Sequence, residues 1–340
     1  MSLKTSIKTF TLTQREESIT LSLPMKRMLM LGLLVAAVVV AFMMVGSRGN
    51  WDFVLPFRGT RIAAMALVAY AIAVSTVLFQ TITSNRILTP SIMGFDALYT
   101  LIQTALVFVL GSQQVATLHP YVRFGMEVLL MMGFTAVLYH WLFGGERRSL
   151  HLLVLVGIIF GILFRNFASF MQRLIDPNEF AILQDMLFAS FNSFDRDLLV
   201  VSAVMIVAAS VVMWRISHTF DVLALGRENA INLGVSYQRT VTIILAIITV
   251  FVSVSMALVG PVTFFGLLVA NLAYQLAGSH RHAWTLPYAA GLAIVFLVGG
   301  QMIVERLFSF NTSLSIIVEF LGGIMFIILL LRGTSKGVMQ

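Results

Sequence analysis

The side chains able to do chemistry are few in this 340-residue chain, which has 15 Asp and Glu, six His and no Cys. His119, His140, His151, His218, His280 and His282 fall in loops or near the ends of apolar runs. No H-E-x-x-H and no i, i+4 pair on an apolar helix appears, so they read as loop and interface histidines, not metal ligands. Without Cys neither a disulfide nor a thiolate metal site can form. No G-x-x-x-x-G-K-[ST] is present. The nearest stretch, Arg332-Gly333-Thr334-Ser335-Lys336-Gly337, lacks the spacing that lets backbone amides cradle phosphate. No nucleophile–base–acid set is visible. No catalytic residue, metal or cofactor is therefore expected, and the chain does not read as an enzyme. Any work it does must draw on an ion gradient or on a separate ATPase.

What remains are charges in unusual places. Glu319 lies about one and a half turns into the last apolar run, Glu127 near the outer end of the fourth, and Asp96 at the inner start of the third, beside Gly94. An ionisable group inside a membrane is a functional candidate by default. Glu319 is named on that ground as a possible pathway residue; the alternative is a paired or neutral carboxyl. Asp96 reads as a helix-start cap. Three scattered carboxylates do not resemble the single cavity of a proton-coupled pump. On the outer side, Arg58-Gly59-Thr60-Arg61 opens the second run. Its arginines share a helical face. They suit either an acidic outer partner or snorkelling to lipid headgroups. Arg306, beside Glu305, has the same two readings and a local ion pair as a third.

The elements that carry these residues are apolar helices. The chain is 59% hydrophobic and 11% charged, with a mean hydropathy of +0.95, against about 25% charged residues in soluble domains. About ten apolar runs of spanning length occur, at 28–46, 60–82, 94–111, 122–143, 152–171, 197–216, 240–258, 262–277, 285–304 and 314–331. Runs this long are not the short alternating segments of a transmembrane β-barrel. The fold class is all-α, a polytopic membrane protein. The net charge of +7 reads as positive-inside bias, with no nucleic-acid partner. Both termini are expected in the cytoplasm, because all the lysines (Lys4, Lys8, Lys26, Lys336) and most arginines, Arg147, Arg148, Arg227 and Arg239 among them, then fall inside. Arg48, Arg58, Arg61, Arg123, Arg165, Arg173, Arg196 and Arg306 fall outside. No signal-peptide cleavage site follows the first run. The organisation is a cytoplasmic segment 1–27, a single transmembrane domain 28–332 and a cytoplasmic tail 333–340.

Two loops stand out. In the outer loop 172–196, Asp176-Pro177 predicts the start of a short helix over Phe180–Ala189. In the cytoplasmic loop, Phe220 to Val235 is polar and glycine-bounded. Gly226 and Gly234 bracket about two turns of helix, too short to be stable alone, so a partner should hold them.

Three stretches together resemble a known family. Arg58-Gly59-Thr60-Arg61, followed by Gln80 and then Asn85-Arg86-Ile87-Leu88-Thr89-Pro90-Ser91-Ile92-Met93-Gly94, is similar to R-x-P-R and Q-x-x-x-x-N-P-L-A-x-P-x-x-L-G. Leu223-Ala224-Leu225-Gly226-Arg227-Glu228-Asn229-Ala230-Ile231-Asn232-Leu233-Gly234-Val235 is similar to L-x-L-G-E-x-x-A-x-x-L-G-V. Gly260-Pro261-Val262-Thr263-Phe264-Phe265-Gly266-Leu267 is similar to G-x-I-x-F-V-G-L. These resemble the FecCD-type permease subunits of bacterial ABC importers for iron–siderophore, haem and cobalamin.

The resemblance implies ten spans in the type II ABC importer permease fold, in the bacterial cytoplasmic (inner) membrane. The implied partners are cytoplasmic ATPase subunits, a second permease, an external substrate-binding protein, membrane lipid and a ferric siderophore. It assigns ATPase coupling to helices at about 220–235, through Leu225, Gly226, Arg227, Glu228, Ala230, Leu233 and Gly234, and binding-protein docking to Arg58, Arg61 and Arg306. The route would run between two permeases, lined partly by the fifth and tenth spans. There are departures: Thr60 replaces a proline, Arg227 stands where glutamate is common with Glu228 after it, and Asn311-Thr312 falls within a usual E-L-P-x-G. The variant 85–94 stretch resembles one of two non-identical permeases of catecholate systems, which implies a heterodimer. The alternatives are an ion-coupled carrier working without an ATPase and, less favoured, a membrane-embedded enzyme.

Overall fold

A computed structural model describes residues 23–45, 51–143, 150–191, 195–307 and 313–337. The first 22 residues of the 1–27 segment, Arg48, Arg147, Arg148, Asn311, Thr312 and residues 338–340 lie outside the described residues. Among the described residues, fourteen α-helices follow one another. They are α1 (Leu23–Met44), α2 (Trp51–Thr83), α3 (Phe95–Leu110), α4 (Ser112–Thr117), α5 (Pro120–Phe143), α6 (Leu150–Gln172), α7 (Pro177–Leu187), α8 (Arg196–Ile216), α9 (Phe220–Leu223), α10 (Arg227–Asn232), α11 (Tyr237–Val259), α12 (Phe265–Leu276), α13 (His282–Leu307) and α14 (Leu314–Gly337). Seven are long and apolar enough to cross a membrane, and Phe95–Leu110, Phe265–Leu276 and Leu314–Met325 are shorter apolar stretches. Together they correspond to the ten apolar runs. α14 continues through Gly337, into the segment expected to be a separate tail.

The bundle is built around α2. One core cluster joins it to α3, α5, α6, α8 and α11, and the other to α1, α12, α13 and α14. Lipid offers no hydrophobic drive for helix association, so close contact relies on small residues. The buried side of α2 carries Ala64, Ala69, Ala71, Ala73, Ser75 and Thr76. α12 meets it at Gly266, where an added Cβ would sit 2.1 Å from Thr76 Oγ1. The Thr76 hydroxyl itself is committed to the Ile72 carbonyl at 2.7 Å, which keeps a polar group in the seam satisfied.

Two of the shorter apolar helices, α3 and α12, begin inside the bundle. α2 ends at Thr83 and the chain turns back through Pro90 and Met93, both buried, before α3 begins. Gly94 makes that turn at φ +93°, and its N–H donates to Ser91 O at 3.1 Å. A Cβ there would lie 3.0 Å from Gly157 O and from Gly161 Cα of α6. Those glycines are about 10 and 16 Å along α6 from its first residue. α3 therefore starts deep in the bundle, not at the inner surface. Asp96 is half-buried there and does not cap the helix; its Oδ2 accepts from Thr263 Oγ1 at 2.6 Å. α12 enters the bundle likewise, after Gly260 (φ +96°) packs on Ala189. Asp176 caps α7 by accepting from Asn178 N at 2.9 Å, with Pro177 in the first turn, as the Asp-Pro pair predicts.

Gly94 combines a left-handed backbone with contact to two backbones. Gly94→Ala is expected to cost on the order of 2 kcal/mol, seen as a lower thermal midpoint in detergent. Gly133→Ala, where nothing lies within 4 Å, should leave the midpoint unchanged or slightly raised.

Candidate functional site

The glycine-bounded segment folds into an elbow of two short helices. After α8, one 3-10 turn over Ser217–Thr219 leads into α9; Gly226 reverses the chain at φ +93° and α10 follows. Gly234, at φ +85°, ends it before α11. A Cβ at either glycine would meet nothing within 4 Å, so the requirement at both is conformational, not steric. Phe220, Leu223 and Ala230 are buried and anchor the elbow to the bundle. Leu225, Ile231 and Leu233 are 57%, 49% and 63% exposed, and Arg227, Glu228 and Asn229 are exposed beside them. The expected site residues are thus brought together, with Ala230 turned inward as an anchor. Three bare aliphatic side chains, on and flanking a six-residue helix that also carries a cation and an anion, form a knob suited to a protein groove.

The elbow is tied to the rest of the molecule by a residue that the sequence alone marks only as a loop histidine. His282 opens α13 and is 6% exposed. Asp221 Oδ1 accepts from the His282 backbone N–H at 2.8 Å and sits 2.7 Å from its Nδ1. The carboxylate thereby also satisfies an orphan donor at the start of α13. His282 Nε2 lies 2.7 Å from Thr81 Oγ1, near the end of α2, and the Phe220 ring meets the imidazole edge-on at 5.8 Å. With Nδ1–H donating to Asp221, a neutral ring accepts at Nε2 from the Thr81 hydroxyl. A protonated ring instead donates to that hydroxyl, which keeps its bond to Val77 O at 2.8 Å. Hydroxyl, imidazole and carboxylate stand in a line, but Thr81 is buried and joined to its own helix. The arrangement holds α2, α9 and α13 together. A cavity of about 970 Å³ opens beside it, lined in part by Arg86, Leu225, Tyr274 and Arg281.

At the other end of the molecule the three outer arginines converge. One Nη1 of Arg58 donates to Phe42 O (2.7 Å), Met43 O (3.1 Å) and Val45 O (2.8 Å), closing the last turn of α1. Arg306 donates to Val45 O as well. It does not pair with its neighbour Glu305, which instead bonds Arg61 at 3.0 Å with both side chains 12% exposed. Gln301 donates to the same carboxylate at 3.2 Å, and the Arg61 guanidinium lies over the Phe57 ring. The arginines therefore form one patch that fastens α1, α2 and α13 at the end of the bundle opposite the elbow.

The membrane carboxylates differ from one another. Glu127 is closed in a triangle with Arg123 (3.0 Å) and Gln103, and Arg123 also reaches Gln103 Oε1 at 2.9 Å. Glu319 is half-buried, close to Asp96 and to the Thr263 backbone. No cluster of metal-ligating side chains occurs among the described residues.

Removing the imidazole leaves Asp221 and Thr81 without their shared partner. His282→Ala should cost about 1–2 kcal/mol, read as a lower thermal midpoint in detergent, while Asp221→Asn, which keeps an acceptor, should lose less.

Comparison with known proteins fits this geometry. The model of the FecCD transport family matches residues 19–332. The petrobactin import system permease protein YclO of Bacillus subtilis (strain 168) is 48% identical over 308 residues, covering 91% of this chain and 97% of that protein. The petrobactin import system permease protein FatC of Bacillus anthracis is 37% identical over 81% of this chain and 78% of its own length. A solved inward-facing structure, assigned to the metal-chelate type of ABC transporter, superposes with a TM-score of 0.78 at 22% identity over 90% of this chain and 99% of that one. The architecture is the type II ABC importer permease fold, and the chain belongs to the FecCD transport family.

Proposed function

We propose that the chain is the transmembrane permease subunit of an ATP-binding-cassette importer that moves a ferric siderophore, of catecholate type, across the bacterial cytoplasmic membrane. The observation that carries this reading is the elbow. An apolar and charged knob, stiffened by two glycine turns and bonded through Asp221 to α2 and α13, is what a lever driven by another protein requires. Two relatives named for petrobactin import support the cargo class.

In this reading both termini are cytoplasmic and the elbow enters a groove of an ATPase subunit. Glu228, exposed in the first turn of α10, supplies the carboxylate that Arg227 displaces from the preceding position. A loaded binding protein docks outside on the patch of Arg58, Arg61 and Arg306. ATP-driven closure of the ATPases shifts the bundle between two states, and cargo passes between this chain and a second, non-identical permease. No bond in the cargo is broken by this subunit.

The test is reconstitution in proteoliposomes with the ATPase, the second permease and the binding protein. Uptake of ferric siderophore should require ATP hydrolysis; uptake that persists without it, and collapses with the ion gradient, would replace this reading with an ion-coupled carrier. Replacing Arg227, Glu228 and Leu233 together by Ala should lower uptake and stimulated ATP hydrolysis by about tenfold or more, the scale of ~1.4 kcal/mol in coupling, with binding-protein docking retained.

A further inference from the structure

The bare faces of most spanning helices here are apolar. α8 presents Val200, Val204, Val207, Val211 and Trp214, and α14 presents Ile316, Phe320, Ile324 and Ile327. α6 differs: between Ile162 and Phe170 its exposed side carries Arg165, Asn166 and Ser169. Arg165 lies about 22 Å along α6 from its first residue and about 10 Å from its last, well inside a helix long and apolar enough to cross a membrane. Facing lipid there would cost several kcal/mol.

Snorkelling does not relieve the problem. Helical side chains lean toward the helix N-terminus, which for Arg165 is away from the nearer end. The guanidinium does fold that way: its Nη2 lies 3.9 Å from the place a Cβ would occupy on Gly161, one turn earlier. Among the described residues it makes no hydrogen bond and no ion pair.

Two carboxyl groups stand behind it. Asp96 lies two residues after Gly94, whose Cα packs against Gly161, the glycine beside the Arg165 guanidinium. Its Oδ2 is held by Thr263 and its Oδ1 is buried without a partner. Glu319 of α14 lies near Asp96, beside the Thr263 backbone. α6 and α14 thus flank one polar centre, with the carboxylate of Asp96 buried and the guanidinium exposed. The exposed surface offers a cation, an amide and a hydroxyl within about one helical turn, all able to donate to oxyanions.

We propose that Arg165, assisted by Asn166 and Ser169, recognises anionic cargo on the translocation route. This rests on the importer reading above and deepens it: the cargo is a metal chelate with net negative charge. A ferric ion wrapped by catecholate and carboxylate oxygens has that charge, because its ligands bring more negative charge than the metal cancels.

The complete importer in proteoliposomes tests this, with the ferric complex of a tris-catecholate chelator as probe. Arg165→Gln should lower uptake about tenfold or more while ATP hydrolysis stimulated by the loaded binding protein stays within about twofold. Arg165→Lys, which keeps the charge, should retain uptake within about threefold. Asn166→Ala with Ser169→Ala, a milder change, should lower uptake about threefold. Wild-type uptake by Arg165→Gln overturns the inference, as does an equal loss in Arg165→Gln and Arg165→Lys accompanied by lost ATPase stimulation, which marks a structural role. Wild-type importer that takes up no chelate with ATP present overturns the importer reading and this inference together.

Discussion

Irregular backbone inside a membrane must be covered by protein, because lipid cannot satisfy its polar groups. Much of this structure follows from that constraint. The chain interrupts its spans before α3 and before α12, and each break is sealed by close backbone contact, Gly94 on Gly157 and Gly161, and Gly260 on Ala189. These breaks bring the first turn of α3 and the turn that leads into α12 to the same depth, where Asp96 and Thr263 meet. A polar centre inside an apolar bundle is thus a product of the two breaks. The small residues along α2 serve the same end, since only close helix packing hides the breaks from lipid.

The parts of the fold that depend on local order are legible in the residues. Apolar runs announce the spans, Asp176-Pro177 announces α7, and Gly226 and Gly234 announce the elbow by the backbone conformations only glycine adopts easily. What is not legible depends on residues far apart in the chain. His282 meets Asp221 across 61 positions and Thr81 across 201. Arg61 finds Glu305 across 244. Asp96 appears to open a span at the surface because a hydropathy pattern gives a run's length and not its depth. Arg165 likewise reads as an outer charge, because it lies near the end of its run; only the fold shows that its face of the helix is bare.

The family relationship and the physical reading divide the work between them. Similarity of 48% over most of the chain fixes the family. The geometry adds what similarity does not: which residues of the elbow are anchors and which are free to be gripped, and how the outer arginines are already engaged within the subunit. An outer partner that uses Arg58, Arg61 or Arg306 would therefore meet cations whose positions are set by α1 and by Glu305. Its contact would be felt first at the end of α1.

α2 and α13 are joined at both ends, by Thr81 and His282 on one side of the membrane and by Arg61 and Glu305 on the other. Sliding one helix past the other by a single residue, about 1.5 Å, would strain both bonds at once. The two helices can tilt together far more easily than they can shear. Displacement imposed at the elbow would therefore reach the opposite end of the bundle as rotation of a paired strut, with little loss of register on the way.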